Sequence, residues 1–293
     1  EPNAMNFHFN LTSVDPVKAP YLHSVDFRRA LSIGMDRETV IATFYTVGPY
    51  SSKVAQTSFL EGSAHYDEEW ATQYTQFDPD EANAMLDALG MTEYDANGYR
   101  MTANGEEFDL VILCPSYDVQ WIEVAEMVAS QWRENLKVNV IANEVDPSLW
   151  GERTQSNDFD ITNLTGSDGF LYVSTGAVDS WTGYNAYGWG TRFMPGAYLE
   201  EGDKAFEPTE NMARLWELGN LIINEVDFDE RDKQIAEVIQ IRKDDLSAIG
   251  IGRRLPAINI IKNNFRNVEN LNQDWAFGFC GSSRGDGYWI QAD

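Results

Sequence analysis

The chain has 293 residues, 43% hydrophobic and 13% aromatic, the make-up of a folded protein rather than a disordered one. Its 47 acidic residues against 21 basic ones leave a formal net charge of −26, a surface that repels phosphate backbones and anionic lipid and argues against nucleic-acid binding. No stretch approaches the roughly 18 uninterrupted apolar residues of a membrane span.

Taken in order, the chain alternates strand and helix. Phe7 to Leu11 alternates like a strand. Val25 to Phe44 reads as one helix, with Phe27, Ala30, Leu31, Met35 and Ile41 on its apolar face and Ser24 as its cap. Gly48 to Gln76 reads as a long polar and aromatic loop. Asp78-Pro79-Asp80-Glu81 then starts a helix: a capping side chain, a proline at the first helical position and a glutamate at the third. Ala82, Met85, Leu86 and Leu89 form its stripe, and Gly90 ends it. Asp95-Ala96-Asn97-Gly98 and Asn104-Gly105 are turns around a short strand; the first lacks the later ligands of a calcium loop.

Phe108 to Cys114 predicts a buried strand and Gln120 to Leu136 a helix whose apolar side includes Trp132. Val138 to Ala142 predicts a strand, Pro147 to Gln155 a short helix, and Phe159 to Leu164 a third strand. That rhythm implies an α/β sheet with parallel neighbours, covered by helices. Helices follow from Thr209 to Asn224, with Trp216 in the apolar stripe, and from Asp229 to Ala248, then an apolar strand from Pro256 to Ile261.

Residues 165 to 208 break the rhythm with eight glycines interleaved with aromatic residues. A structureless segment of such length in a compact domain is usually functional, and its aromatic content argues against disorder. Within and beside it, Trp121, Trp181, Tyr184 and Trp189 fall near strand ends, where open α/β sheets bind ligands. Their rings offer rigid, amphipathic contact surface. Asp168, beside Ser167 in a glycine-rich turn, could hold a ligand ammonium; on spacing alone the solvated turn acid is the favoured reading.

Catalytic signatures are missing. There is no G-x-S-x-G elbow, no P-loop and no G-x-G-x-x-G after a strand. No local motif singles out a glycosidase pair among the acids. Cys114 and Cys280 match no metal or redox spacing, and His8, His23 and His65 have no ligand-spaced neighbours. The expectation is therefore no cofactor and no metal. Cys114 reads as a buried free thiol, with a long-range disulfide to Cys280 as the less favoured alternative. Asn10-Leu11-Thr12 and Asn163-Leu164-Thr165 fit the glycosylation pattern and are set aside, the second because it falls in a strand.

Four stretches resemble a known family, the family 5 extracellular solute-binding proteins. Phe9-Asn10-Leu11-Thr12, Val25 to Ser32 and Met35-Asp36-Arg37-Glu38 together resemble one family segment, with Arg28 shifted beside Arg29 and Gly34 in place of an alanine. Phe77 to Ala82 with Leu86, Leu89 and Gly90 is similar to a second. Leu110 to Pro115, the Trp132 helix and Val138 to Val140 resemble its strand–helix–strand, and Phe159-Asp160 the approach to the ligand loop.

The resemblance implies a periplasmic-binding-protein-like (type II) lobe, a mixed sheet flanked by helices, and the role of a non-enzymatic, monomeric binding component of an ABC importer. Residues 1–14 would be a hinge or first-lobe strand, 15–250 the second ligand-binding lobe, and 251–293 the return to the first lobe. The ligand would be a small peptide, or alternatively an oligosaccharide, and the partner a membrane ABC permease. Asp168 is the positional match to the aspartate that holds a peptide's ammonium, but Gly166 and Ser167 stand where a tryptophan is expected. An export signal or lipid anchor would lie upstream, with the protein in the periplasm or at the outer face of the cell membrane. The rivals are a secreted carbohydrate hydrolase and an adhesion module.

Overall fold

The computed structural model describes residues 5–45, 53–59, 65–164, 210–253, 262–266 and 289–290. Strand β1 (Asn6–Phe9) leads to a one-turn helix, α1 (Ala19–Leu22). The segment read as one helix from Val25 is two, α2 (Val25–Ile33) and α3 (Arg37–Phe44). Ser24 caps the first by accepting the Phe27 amide at 3.3 Å. The break has two causes, one local and one tertiary. Asp36 accepts the Thr39 amide at 3.0 Å and so opens a new helix. Gly34, at the end of α2, lies so close to Leu136 that a Cβ there would sit 2.5 Å from its Cδ1.

Inside the segment expected to be loop, Asp67 caps a short helix, α4 (Glu68–Thr72), by accepting the Trp70 amide at 2.7 Å. Helix α5 (Pro79–Ala88) forms as its sequence dictates: Asp78 accepts the Glu81 amide at 2.9 Å, and Gly90 follows at φ +83°. Then come β2 (Asp109–Pro115), α6 (Val119–Leu136), β3 (Asn139–Val145), α7 (Pro147–Gln155) and β4 (Ile161–Leu164). Beyond residue 209 follow α8 (Glu210–Asn224), α9 (Phe228–Asp245) and β5 (Ala248–Gly250). The helix expected to run to Ala248 stops at Asp245, because Leu246 turns left-handed at φ 40° and Ala248 enters the sheet.

Five strands form one mixed sheet in the order β3-β2-β4-β1-β5. β2 runs parallel to β3 and β4, while β1 is antiparallel to β4 and β5. Register places Leu113 beside both Asn143 and Thr162, Phe7 beside Asn163, and Asn6 beside Gly250. Alternation sends Leu110, Ile112 and Cys114 into the main core, which includes Phe7, Phe9 and the α6 side chains Val128 and Trp132. Leu113 goes to the other face, into a smaller cluster with Trp150 of α7 and Phe159. Trp132 is fully buried, its indole N–H donating to the Leu31 carbonyl at 2.8 Å and its ring meeting Phe7 edge-on at 5.7 Å.

Two buried arginines tie distant segments together without carboxylate hydrogen-bond partners. Arg28 donates to the carbonyls of Leu246, at 3.0 Å, and Asp245, at 2.5 Å, which are groups that the end of α9 leaves unpaired. Burial lowers its pKa to about 10. Arg37 donates to Gly250 O at 2.9 Å and Ser32 O at 2.7 Å, and burial lowers its pKa to about 9. The residues that carried the resemblance on α2 and α3 thus hold the frame.

The chain divides into two compact units, one of Pro2–Leu255 and one of Glu1 with Pro256–Asp293. In the second, β6 (Phe265–Arg266) pairs antiparallel with β7 (Trp289–Ile290). The strand expected at 256–261 lies outside the described residues.

Candidate functional site at the carboxyl edge of the sheet

β2, β3 and β4 run in parallel and end side by side, so their carboxyl ends and the N-termini of α6 and α7 share one edge. Here open α/β sheets leave side chains free for ligands. After Pro115, Ser116 donates its amide to Val145 O at 2.9 Å, closing the ends of β2 and β3 together. Tyr117 then stands 58% exposed, its ring 5.7 Å from Trp121 and 6.4 Å from Trp150, edge-on to both. Trp150 is buried and donates its indole N–H to Thr162 Oγ1 at 2.8 Å.

Of the aromatic residues expected at the site, Trp121 lies here. It is half-buried on the first turn of α6 and packs against the main core. Ser167, Asp168, Trp181, Tyr184 and Trp189 lie outside the described residues, as do Cys280 and the long glycine-rich segment. β4 delivers the chain into that segment at this edge.

Sequence reasoning passed over Asn163. It is fully buried on β4, donates through Nδ2 to the Trp121 carbonyl at 3.2 Å, and its Oδ1 has no hydrogen-bond partner among the described residues. Neither polar atom of fully buried Asn6 has one either. A buried polar group without a partner is costly, so such atoms mark positions a ligand can complete. An asparagine in place of the apolar residue that a buried strand prefers was the available signal. Tyr117 was also missed, though it directly follows the strand-ending Pro115-Ser116.

Acids surround these groups. Asp118 caps α6 by accepting the Gln120 amide at 2.9 Å, and Asp146 caps α7 by accepting Ser148 N at 2.9 Å. Burial, aided by the charge of Asp118, raises the Tyr45 phenol well above its usual range. Burial likewise pushes the Cys114 thiol up to about 12, with Glu144 and Glu126 adding to it. Cys114 is the buried free thiol expected.

A cavity of about 340 Å³ opens at the other end of the sheet, beside Lys18, Phe159 and Asp160. Its charges are already paired: Lys18 with Asp160 at 2.9 Å, and Arg153 with Asp158 at 2.8 Å. Asp15 accepts the Val17 and Lys18 amides at 2.8 and 3.0 Å. That end is therefore built as a clamp between the β1–α1 loop and the start of β4. Among the described residues no three metal-binding side chains converge, and no helix is long and apolar enough to cross a membrane.

Comparison with known proteins bears on the fold and the family. The model of the bacterial extracellular solute-binding proteins, family 5 (middle region), matches residues 1–188. The chain belongs to this family. It superposes on the oligopeptide-binding protein OppA with a TM-score of 0.74 and 26% identity, over 92% of this chain and 43% of that one. The stachyose complex of MelB from Agrobacterium fabrum matches at TM-score 0.67 and 16% identity, covering 91% of this chain and 40% of that one. An oligopeptide transporter's binding protein from Thermotoga maritima, bound to mannohexaose, matches at TM-score 0.62 and 20% identity, covering 91% and 47%. The chain spans less than half the length of these solved relatives. No curated protein matches significantly.

Proposed function

We propose that this chain supplies one ligand-binding lobe of the solute-binding component of an ABC importer, which captures a peptide or similar oligomeric solute by hinge closure. The observation that carries the reading is the carboxyl edge in a member of family 5: an exposed Tyr117 against Trp121, whose carbonyl takes the amide of a fully buried Asn163 that has no partner for its Oδ1 among the described residues. Residues 15–250 are assigned to this lobe, 1–14 to the hinge and 251–293 to the return, with Asp168 and Ser167 contributing from the segment that follows β4 in sequence. A second lobe would supply the facing wall, so a solute touching both favours the closed state, and that difference in affinity drives closure. A membrane permease would recognise the closed form, outside the cytoplasm.

On this reading the protein binds its solute and performs no chemistry on it. The test is a thermal-shift and calorimetric screen of the full-length protein against short peptides and oligosaccharides, with product analysis of each mixture. A saturable shift with an unchanged ligand supports the proposal. Absence of any shift, or turnover of an oligosaccharide, overturns it.

A further inference from the structure

Strand β1 sends Phe7 and Phe9 into the main core and turns Asn6 and His8 to the opposite face. Both are buried, Asn6 with 0% of its surface exposed and His8 with 6%. Their cross-strand neighbours cannot satisfy them. Asn6 stands opposite Leu164 and Gly250, which have no polar side chain, and His8 opposite Thr162 and Ala248. The Thr162 hydroxyl is already committed, donating to Leu113 O and accepting the Trp150 indole N–H, both at 2.8 Å. Among the described residues, neither amide atom of Asn6 has a hydrogen-bond partner, and nor has His8 Nδ1. Thr57 lies against the same face: Gly250 shares the side of Asn6, and a Cβ on it would sit 2.6 Å from the Thr57 amide nitrogen. The buried Thr57 hydroxyl lacks a partner as well. Unpaired buried polar atoms cost stability, and apolar side chains at these positions would remove that cost. A ligand that supplies the partners offsets it.

We propose that Asn6, with His8 and Thr57 beside it, binds a primary carboxamide of the solute, the side chain of a glutamine or asparagine in a peptide. This narrows the solute class of the binding-protein reading, on which it rests. Asn6 offers one donor and one acceptor side by side. A primary carboxamide returns the complementary pair from one edge, whereas a trans peptide group points its N–H and C=O in opposite directions. An ammonium has no acceptor for Asn6 Nδ2, and a carboxylate has no donor for Oδ1. His8 is held neutral by burial, with the charge of Arg242 adding to the effect, so it too offers an uncharged hydrogen-bonding edge. The same positive charge disfavours a ligand cation.

Calorimetry on the full-length protein decides it, with triglutamine, trialanine, trilysine, triglutamate and maltohexaose as probes. Triglutamine is expected to bind about tenfold tighter than trialanine, the worth of two hydrogen bonds between neutral groups. In Asn6→Leu that preference should vanish. Its Tm should stay at or above that of the parent, because an apolar side chain of similar size no longer buries unpaired atoms. A Tm well below the parent's would show Asn6 to be a structural residue and overturn the assignment. A triglutamine preference that survives in Asn6→Leu would overturn it too. Equal or tighter binding of trialanine, trilysine, triglutamate or maltohexaose overturns the carboxamide class and leaves the binding-protein reading standing. If none of the five probes binds, both readings fail together.

Discussion

The guanidinium of Arg37, at the start of α3, donates to the carbonyl of Gly250 at the end of β5 across 2.9 Å, joining positions 213 residues apart. The same side chain holds Ser32 Oγ at 2.7 Å, and Gln56 completes the ring by donating to Ser32 Oγ and accepting the Gly250 amide, both at 2.8 Å. This network fixes β5 just before the chain leaves the first compact unit, at Leu255.

Removing Arg37 is expected to be severe. Arg37→Ala leaves the Gly250 and Ser32 carbonyls buried without a donor and opens a cavity, a loss of about 3 kcal/mol or more. Arg37→Lys recovers little of this, because a point ammonium cannot reproduce the planar fork. Urea unfolding of both variants measures the difference.

Gly250→Ala tests the same joint from the other side. A Cβ there would lie 2.6 Å from Gln56 C and Thr57 N, backbone atoms with no room to withdraw. The expected cost is about 2–3 kcal/mol, and the sheet should shift toward earlier urea midpoints without change in far-UV circular dichroism at zero denaturant.

His8 sets an acid limb to stability. Burial, assisted by the nearby charge of Arg242, lowers its pKa to about 3 from an ordinary 6.5. Between those values the unfolded chain binds a proton that the folded one refuses, so stability falls as pH drops from about 6.5 toward 3. The contribution amounts to a few kcal/mol. In His8→Gln the slope of Tm against pH over this window should be shallower than in the parent; an unchanged slope would refute the assignment.

The Cys114 thiol, buried and raised to about 12, should be inert in the folded protein at pH 8. In a Cys280→Ser background, a thiol reagent should label Cys114 only when denaturant is added. Fast labelling of the native protein would show that the strand end is open.

Tyr117→Ala separates binding from folding. Its ring is largely exposed, so stability should change by no more than about 0.5 kcal/mol. Solute affinity should weaken about tenfold, the scale of one lost aromatic contact. Titration calorimetry beside a melting curve reads both.

Local chemistry made much of this fold legible in the sequence. Asp78-Pro79 started α5 and Asp146-Pro147 started α7 as read, because a cap and a proline act within one helical turn. The apolar run from Phe108 to Cys114 marked β2 as a buried strand, and helical spacing put Trp132 in the core. Tertiary packing decided the rest. Beside the local cap from Asp36, the approach of Leu136 to Gly34 divides α2 from α3, although the apolar stripe runs through both. Likewise Leu246 ends α9 where Arg28, 218 positions away, takes its carbonyl. The site followed the same rule. Trp121 could be placed near a strand end from spacing, whereas Asn163 became informative only once β4 lay beside α6. An unpaired oxygen is a property of the surrounding atoms, and the amino-acid order does not state which atoms those are.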